Sequence, residues 1–102
     1  KNFLENNTEQ RNGNCYNKSS GRRISACVPM HTFGFPVRVK QIAEICKNHN
    51  IALVEDAAES IGSYVNGQHT GTFGEYGCLS FNGNKVVTAG MGGVILVQDE
   101  QK

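Results

Sequence analysis

The chain has 102 residues, a formal net charge of +1 and 38% hydrophobic residues, which suits one domain, or part of one, with a small core. A charge so close to zero gives no electrostatic reason to expect nucleic acid or an anionic membrane as a partner. No apolar run approaches the roughly 20 residues that are needed to span a bilayer.

Residues 1–23 are predicted to form the end of a helix followed by a polar surface loop. Turn signals at Asn12-Gly13 and Ser20-Gly21 favour a weak hairpin within residues 6–23. A solvent-exposed loop without a binding role is the simpler interpretation of this segment, and contact with a partner or substrate is the alternative. Because the chain does not begin with Met and stops soon after its last predicted strand, we expect a piece of a longer protein.

The next part of the chain predicts a strand, a helix and a second strand. Residues 24–29 form a short apolar run that ends at a proline, and residues 51–54 form a continuous apolar run typical of a parallel strand covered on both faces. Between them, apolar residues at i, i+3, i+4 and i+7 from Val39 to Cys46 predict a helix with one apolar stripe, and Asn48-His49-Asn50 ends it. Short links between these elements indicate a βαβ unit.

The C-terminal part predicts strands but little helix. A turn is expected at Val65-Asn66-Gly67, and residues 76–81 and 93–97 are candidate strands. Because helical patterns are scarce after residue 60, we expect these strands to join the sheet without crossover helices. The sequence therefore predicts an α/β fold with a mostly parallel sheet and flanking helices.

Lys85 lies in a loop between two glycine-bearing segments with short apolar runs on either side. Three of the four residues from Gly90 to Gly93 lack a Cβ, so the backbone can approach another group closely there. A lysine that is partly removed from water can act as a nucleophile towards carbonyls and form a Schiff base. The alternative is an ordinary exposed lysine that ends a strand before a turn, since most lysines are exposed.

Other polar side chains are expected beside this lysine. In open α/β sheets, ligands bind beyond the carboxyl ends of the strands, where Glu55 and Asp56 follow the second predicted strand. Ala58 adds a flat, small surface, and Ser80 precedes Lys85 by five residues. A Schiff-base lysine, a carboxylate for a pyridinium nitrogen and a hydroxyl for a phosphate are what pyridoxal phosphate requires. Asp56 could instead cap the next segment, and Ser80 could be an ordinary strand hydroxyl.

Two other kinds of site are disfavoured by spacing. The glycines from Gly90 to Gly93 precede a strand, whereas a dinucleotide-binding loop precedes a helix. The three histidines, His31, His49 and His69, form no local metal-binding motif, and the four cysteines show no C-x-x-C pair. No metal site is therefore predicted, and a reducing cytoplasm is the simplest compartment. His31, at a strand end, is kept as a candidate substrate-binding residue.

Four motifs taken together resemble the DegT/DnrJ/EryC1/StrS family of sugar aminotransferases. They are Val-Glu-Asp-Ala-Ala-Glu-Ser at 54–60, Gly-Thr-Phe-Gly at 71–74, Cys-Leu-Ser-Phe-Asn-Gly-Asn-Lys at 78–85 and Gly-Met-Gly-Gly at 90–93. The resemblance runs from about residue 24 to the end of the chain. The polar loop with Cys-Tyr-Asn-Lys at 15–18 further resembles the subgroup that makes amino sugars for legionaminic acid or bacillosamine.

The resemblance implies a role for each site residue. Lys85 would be the Schiff-base lysine and the proton shuttle, and Asp56 would pair with the pyridine nitrogen of pyridoxal phosphate. Ala58 would pack against the ring, and Ser80 would bind the cofactor phosphate. Glu59 stands where many relatives have Gln or His contacting the ring hydroxyl, so a glutamate there would need to be protonated or differently oriented to donate a hydrogen bond.

The resemblance also implies a fold and a reaction. Residues 24–102 would be the central part of the large domain of a fold-type I pyridoxal phosphate enzyme, without its N-terminal segment and C-terminal small domain. The parent enzyme would be a cytoplasmic homodimer that moves an amino group from glutamate to a UDP-linked 4-keto-6-deoxy sugar in surface-polysaccharide synthesis. The chain alone would be inactive.

Two alternatives to this reaction bear on Lys85. A branch of the family that performs dehydration carries His at the position of Lys85, so the lysine favours amino transfer. A truncated or degenerate paralogue that acts only as an interaction module is the competing function. The retention of Asp56, Ser80 and Lys85 together argues against a degenerate site.

Overall fold

A four-stranded mixed sheet and one long helix organise the chain in the computed structural model, which describes residues 1–99. The helices are α1 (Asn2–Asn7) and α2 (Val39–Asn48), with a short 3-10 helix at Thr32–Gly34; the strands are β1 (Thr8–Arg11), β2 (Asn14–Asn17), β3 (Ala26–Cys27), β4 (Ala52–Asp56), β5 (Tyr64–Val65), β6 (Gln68–His69), β7 (Tyr76–Ser80) and β8 (Gly93–Val97). The sheet order is β3-β4-β7-β8. The first two pairs are parallel and the last is antiparallel.

The predicted βαβ unit is confirmed by β3, α2 and β4. The apolar stripe of α2 buries Val39 and Cys46, and the chain reverses after the helix through Asn50, which adopts a left-handed φ of 52°. The first strand is shorter than predicted, because its continuous pairing with β4 is limited to Ala26 and Cys27, and the segment then touches β4 again through an isolated bridge from Met30 to Asp56. The expected α/β class is thus present in a partial form with few helices.

Strand β4 differs from its prediction in length and in burial. It continues through Glu55 and Asp56, which were expected to follow the strand. Leu53 and Glu55 are buried, whereas the residues that alternate with them are partly exposed. Glu55 can face inward because its carboxylate accepts hydrogen bonds there, as described below. Asp56 therefore points to the opposite side of the strand from Glu55.

The chain after residue 60 forms strands and turns, as predicted. The hairpin β5–β6 turns through Asn66 and Gly67, whose φ angles of 50° and 81° are typical of a two-residue hairpin turn. Strand β7 then joins β4 in parallel, and residues 57–75 make the connection without a helix. Strand β8 runs antiparallel to β7, so the sheet is mixed rather than wholly parallel.

The N-terminal hairpin is not simply a solvent-exposed loop, because one of its faces contributes to the core. Strands β1 and β2 pair through the predicted Asn12-Gly13 turn. Cys15 on β2 is fully buried and belongs to the core cluster with Val39, Cys46, Ile51 and Leu53. The preference for a purely solvated loop was therefore wrong, because one face of this hairpin packs on the core.

The four cysteines are free thiols, of which Cys15 and Cys46 are buried. Cys27 and Cys78 are only partly buried. Among residues 1–99, no helix has the length and apolar character needed to cross a membrane.

Candidate active site

Lys85 lies in a closed loop that connects β7 to β8. The Phe81 N–H donates to the Gly92 carbonyl at 2.9 Å, and the Ala89 N–H donates to the Phe81 carbonyl at 3.0 Å. Within the loop, the Lys85 N–H donates to the Asn82 carbonyl at 3.0 Å. These bonds hold the lysine just beyond the carboxyl end of β7, as the sequence predicted.

Glycine is required at the positions after Lys85 for different physical reasons. Gly90 and Gly92 have φ angles of 84° and 109°, which side chains with a Cβ rarely adopt. At Gly93, a Cβ would lie 2.6 Å from the carbonyl oxygen of Leu79 on the neighbouring strand. Two glycines thus shape the loop, and the third lets β8 approach β7 closely.

The Lys85 amine faces a carboxylate across an open groove. Its Nζ lies 3.9 Å from Oε1 of Glu59, and the side chains are 19% and 34% exposed, respectively. The groove has a volume of about 380 Å³ and is lined by these two residues together with Phe33, Asn84 and Val86. The amine is therefore sheltered from most of the solvent and still accessible to a small molecule.

Asp56 and Ser80 lie at the carboxyl ends of neighbouring parallel strands. Asp56 is opposite Cys78 in the register of β4 and β7, so Ser80 lies two residues further along β7, on the same face as Cys78. The Ala58 N–H donates to Oδ1 of Asp56 at 3.2 Å, which uses one of the two carboxylate oxygens. Oγ of Ser80 accepts from the Asn82 N–H at 3.4 Å, which leaves its hydroxyl hydrogen for another acceptor.

The structure gives His31 a structural position instead of a place in the groove. The side chain is fully buried, and its Nε2 lies 3.0 Å from Oε1 of Glu55. Its Nδ1 accepts a hydrogen bond from the Val37 N–H at 3.3 Å, so Nε2 carries the proton and donates it to Glu55. Because both ring nitrogens have partners inside the chain, His31 has no ring nitrogen left to bind a substrate in this arrangement.

Glu55 is the main residue of this region that sequence reasoning did not assign. Its fully buried carboxylate accepts hydrogen bonds from His31 and from three backbone N–H groups. Gly71 donates to Oε1 at 2.7 Å, and Phe73 and Gly74 donate to Oε2 at 2.6 and 2.8 Å. The signal that could have found it is the pairing of a strand glutamate with the Gly-Thr-Phe-Gly segment, whose glycines leave room for close backbone approach.

The anchored Glu55 positions the site indirectly. It fixes residues 71–74 against β4, and these residues pack so closely that a Cβ at Gly74 would lie 2.3 Å from the Leu53 carbonyl oxygen. Since consecutive strand residues point to opposite faces, an inward Glu55 directs Asp56 outward. The adjacent carboxylates therefore have separate roles, one in the core and one at the sheet edge.

Comparison with known proteins identifies the family. The family model for the DegT/DnrJ/EryC1/StrS aminotransferases matches residues 17–102. The chain belongs to this family. The match covers Glu59, Lys85 and the carboxyl ends of β4 and β7, so it includes every residue of the site described above.

Individual relatives share both the sequence and the fold. The chain is 38% identical to the GDP-perosamine synthase of Escherichia coli O157:H7 over 78 residues, which are 76% of this chain and 21% of that protein. The aminotransferase TlmJ from Streptoalloteichus hindustanus matches with a TM-score of 0.74 and 38% identity, covering 78% of this chain and 22% of TlmJ. The E. coli GDP-4-keto-6-deoxy-D-mannose-3-dehydratase with bound hydrated pyridoxal phosphate matches with a TM-score of 0.69 and 32% identity, covering 74% of this chain and 20% of that chain.

These relatives define the class of enzyme and leave the reaction open. The family is one of aminotransferases, and the relatives named as nucleotide-sugar enzymes include a dehydratase as well as a perosamine synthase. The chain spans about a fifth of the length of the curated relatives it matches. Because a perosamine synthase is among them, the narrower resemblance to the legionaminic acid and bacillosamine subgroup stays a prediction.

Proposed function

We propose that the chain is the lysine-bearing part of an enzyme that transfers an amino group to a keto sugar. One observation carries this proposal: the sheltered amine of Lys85 lies beyond the carboxyl end of β7 and faces a groove beside Glu59. Asp56 and Ser80 lie at the ends of the two adjacent parallel strands. Asp56 and Ser80 do not line the groove itself. A ligand that reached all of these groups could offer a carbonyl to the amine, a cationic N–H to the carboxylate and an anionic acceptor to the hydroxyl.

Pyridoxal phosphate fits this set of donors and acceptors. Lys85 would bind its aldehyde carbon, Asp56 would keep its ring nitrogen protonated, and the Ser80 hydroxyl would donate to its phosphate. Ala58 would offer a small surface to the ring, and Glu59 would lie near the ring hydroxyl. When bound, the cofactor supplies an electron sink for the carbon that exchanges the amino group.

The residues of this chain would then move the proton and hold the charge. Lys85 would carry a proton between two carbons on the same face of the bound molecules, which one basic amine can do. Asp56 would hold the positive charge of the ring nitrogen throughout, because it is fixed by the Ala58 N–H at 3.2 Å. Fixed groups of this kind stabilise charge without reorganising during the reaction.

We further propose glutamate as the amino donor and a UDP-linked 4-keto-6-deoxy sugar as the acceptor. Support for a keto-sugar acceptor comes from the family and from the perosamine synthase among the relatives. The presence of Lys85 supports amino transfer over dehydration, because the dehydrating branch of the family is expected to carry His there. The product would serve bacterial surface-polysaccharide synthesis.

The rest of the enzyme is proposed to lie outside this chain. We propose that residues 24–102 form the central part of the large domain and that a homodimer completes the substrate site, since the chain spans about a fifth of its relatives. A cytoplasmic location fits the four free thiols.

A labelled amino donor tests the reaction in the full-length parent enzyme. With ¹⁵N-glutamate and a UDP-4-keto-6-deoxy sugar, we expect ¹⁵N in the sugar product and release of 2-oxoglutarate, both measured by mass spectrometry. Borohydride reduction should attach pyridoxal phosphate to Lys85 in the wild type, and Lys85→Ala should lose both the attachment and the product. A GDP-linked keto sugar serves as the competing acceptor.

The other outcomes assign other functions. Loss of water from the sugar without ¹⁵N incorporation would assign dehydration. Attachment of the cofactor at lysines other than Lys85 would contradict the site, and no attachment at all would favour the interaction module.

A further inference from the structure

Glu59 contacts two groups that belong to different parts of the chain. Its Oε2 accepts a hydrogen bond from the Phe33 N–H at 2.8 Å, while its Oε1 lies 3.9 Å from the Lys85 Nζ. Phe33 precedes Glu59 by 26 residues, and Lys85 follows it by 26. One carboxylate therefore joins the short helix after β3 to the loop after β7.

The Phe33 side of this link is under conformational strain. Phe33 has φ and ψ angles of 52° and 29°, a left-handed conformation that is unfavourable for a residue with a large side chain. Phe33 is 81% exposed, so packing of its side chain does not account for the conformation. A hydrogen bond to a charged acceptor is stronger than one to a neutral acceptor. The Glu59 carboxylate is thus the contact that directly holds the Phe33 amide in place.

The Lys85 side of the link is an ion pair of moderate exposure. Phe33, Glu59 and Lys85 all line the same groove, so both contacts of the carboxylate are made at its wall. Two contacts on opposite oxygens fix the Glu59 side chain better than one. If either contact is lost, the carboxylate regains rotational freedom, and the remaining contact weakens.

We propose that Glu59 is a positioning residue that couples the Lys85 amine to the Phe33 loop, so that the loop is released when Lys85 forms an imine. This inference rests on the proposed function only in that Lys85 condenses with an aldehyde. In that step the amine nitrogen bonds to the aldehyde carbon, and the aldehyde oxygen leaves as water. Two of the three ammonium hydrogens leave with that oxygen, and the protonated imine keeps a single N–H, so the contact between Lys85 and Glu59 weakens. The Phe33 loop, at the groove wall, can then change conformation when a ligand enters the groove.

Hydrogen exchange of the Phe33 amide in the cofactor-free, full-length parent enzyme tests the coupling. Exchange is measured by mass spectrometry with backbone fragmentation. Glu59→Ala removes the acceptor, and we expect exchange to rise about tenfold or more. Lys85→Gln removes only the ion pair, and we expect a rise of about threefold. Glu59→Gln keeps an oxygen acceptor, so protection should be largely restored relative to Glu59→Ala.

Two further arms separate this inference from the proposed function. Glu44→Gln, a matched change at an exposed carboxylate on α2, should leave exchange at Phe33 unchanged. Pyridoxal phosphate added without borohydride should form the imine and raise exchange at Phe33 as Lys85→Gln does. Borohydride reduction of a parallel sample, which adds hydride to the imine carbon, should trap Lys85 and report that the imine had formed there.

The results that overturn the coupling are distinct from those that overturn the function. Unchanged Phe33 exchange in Lys85→Gln, or equal exchange in Glu59→Ala and the wild type, would refute the coupling even where Lys85 is trapped normally. Failure to trap Lys85 in the wild type would refute the proposed function, while the three variants would still decide whether Glu59 links the loop to the lysine.

Discussion

The Nε2 of His31 lies 3.0 Å from Oε1 of Glu55, and both side chains are fully buried. This contact ties the segment after β3 to the adjacent parallel strand β4. The same carboxylate holds residues 71–74, so three stretches of chain converge on one buried group. The outward direction of Asp56 at the sheet edge depends on this inward anchor.

Replacing His31 with Ala is expected to destabilise the chain without a direct effect on substrate binding. Removing His31 takes one of the four hydrogen-bond donors from the buried Glu55 carboxylate, which costs about 1–3 kcal/mol. Denaturant unfolding of the full-length parent enzyme measures the loss in the free energy of unfolding. His49→Ala is the control, since His49 makes one bond to the Ile45 carbonyl at the end of α2 and should cost less than about 1 kcal/mol. A raised KM with unchanged stability would instead return His31 to the substrate site.

Gly77→Ala is expected to disrupt the contact between β7 and the segment held by Glu55. A Cβ at Gly77 would lie 1.9 Å from the carbonyl oxygen of Gly71, so the backbone would have to shift. We expect a loss of about 1–3 kcal/mol in the free energy of unfolding, or more. Gly83→Ala is the matched control, because the nearest atom to its Cβ would be the Gly90 carbonyl oxygen at 3.7 Å. Equal stability of the two variants would contradict the close packing described here.

Local features were predicted from the sequence because local interactions determine them. The apolar stripe of α2, the left-handed Asn50 and the Asn66-Gly67 turn each depend on residues within a few positions along the chain. The loop that holds Lys85 was predicted for the same reason, since its glycines and its flanking strands are neighbours in sequence.

Features that depend on distant partners were not predicted. Glu55 faces the core because donors 16 to 24 residues away along the chain meet it there. Its charge favoured an exposed position at a strand end, and only the tertiary structure reverses that preference. The burial of Cys15 has the same origin, because the hairpin that carries it packs on residues of α2 and β4. The Glu59–Lys85 contact likewise joins loops that no local pattern connects.

Asp56→Asn tests whether the carboxylate charge, rather than its shape, supports catalysis. An asparagine oxygen can still accept from the Ala58 N–H, so we expect less than about 1 kcal/mol of destabilisation. Loss of the negative charge opposite the ring nitrogen should lower kcat/KM for amino transfer by about 10²–10³-fold. Steady-state release of 2-oxoglutarate measures this, with Glu44→Gln as the control. A change of less than about threefold would remove Asp56 from the proposed site.

The pH dependence of stability should contain a contribution from Cys46 on α2. Burial of this thiol, with the neighbouring Cys27 as a smaller cause, raises the pKa of Cys46 from 9.0 to about 11. The folded state therefore favours the protonated thiol, and this contribution is fully present below pH 9 and is lost as the pH rises towards 11. The difference in unfolding free energy between wild type and Cys46→Ala should narrow over that interval. Parallel curves of unfolding free energy against pH for the wild type and Cys46→Ala would contradict the raised pKa of Cys46.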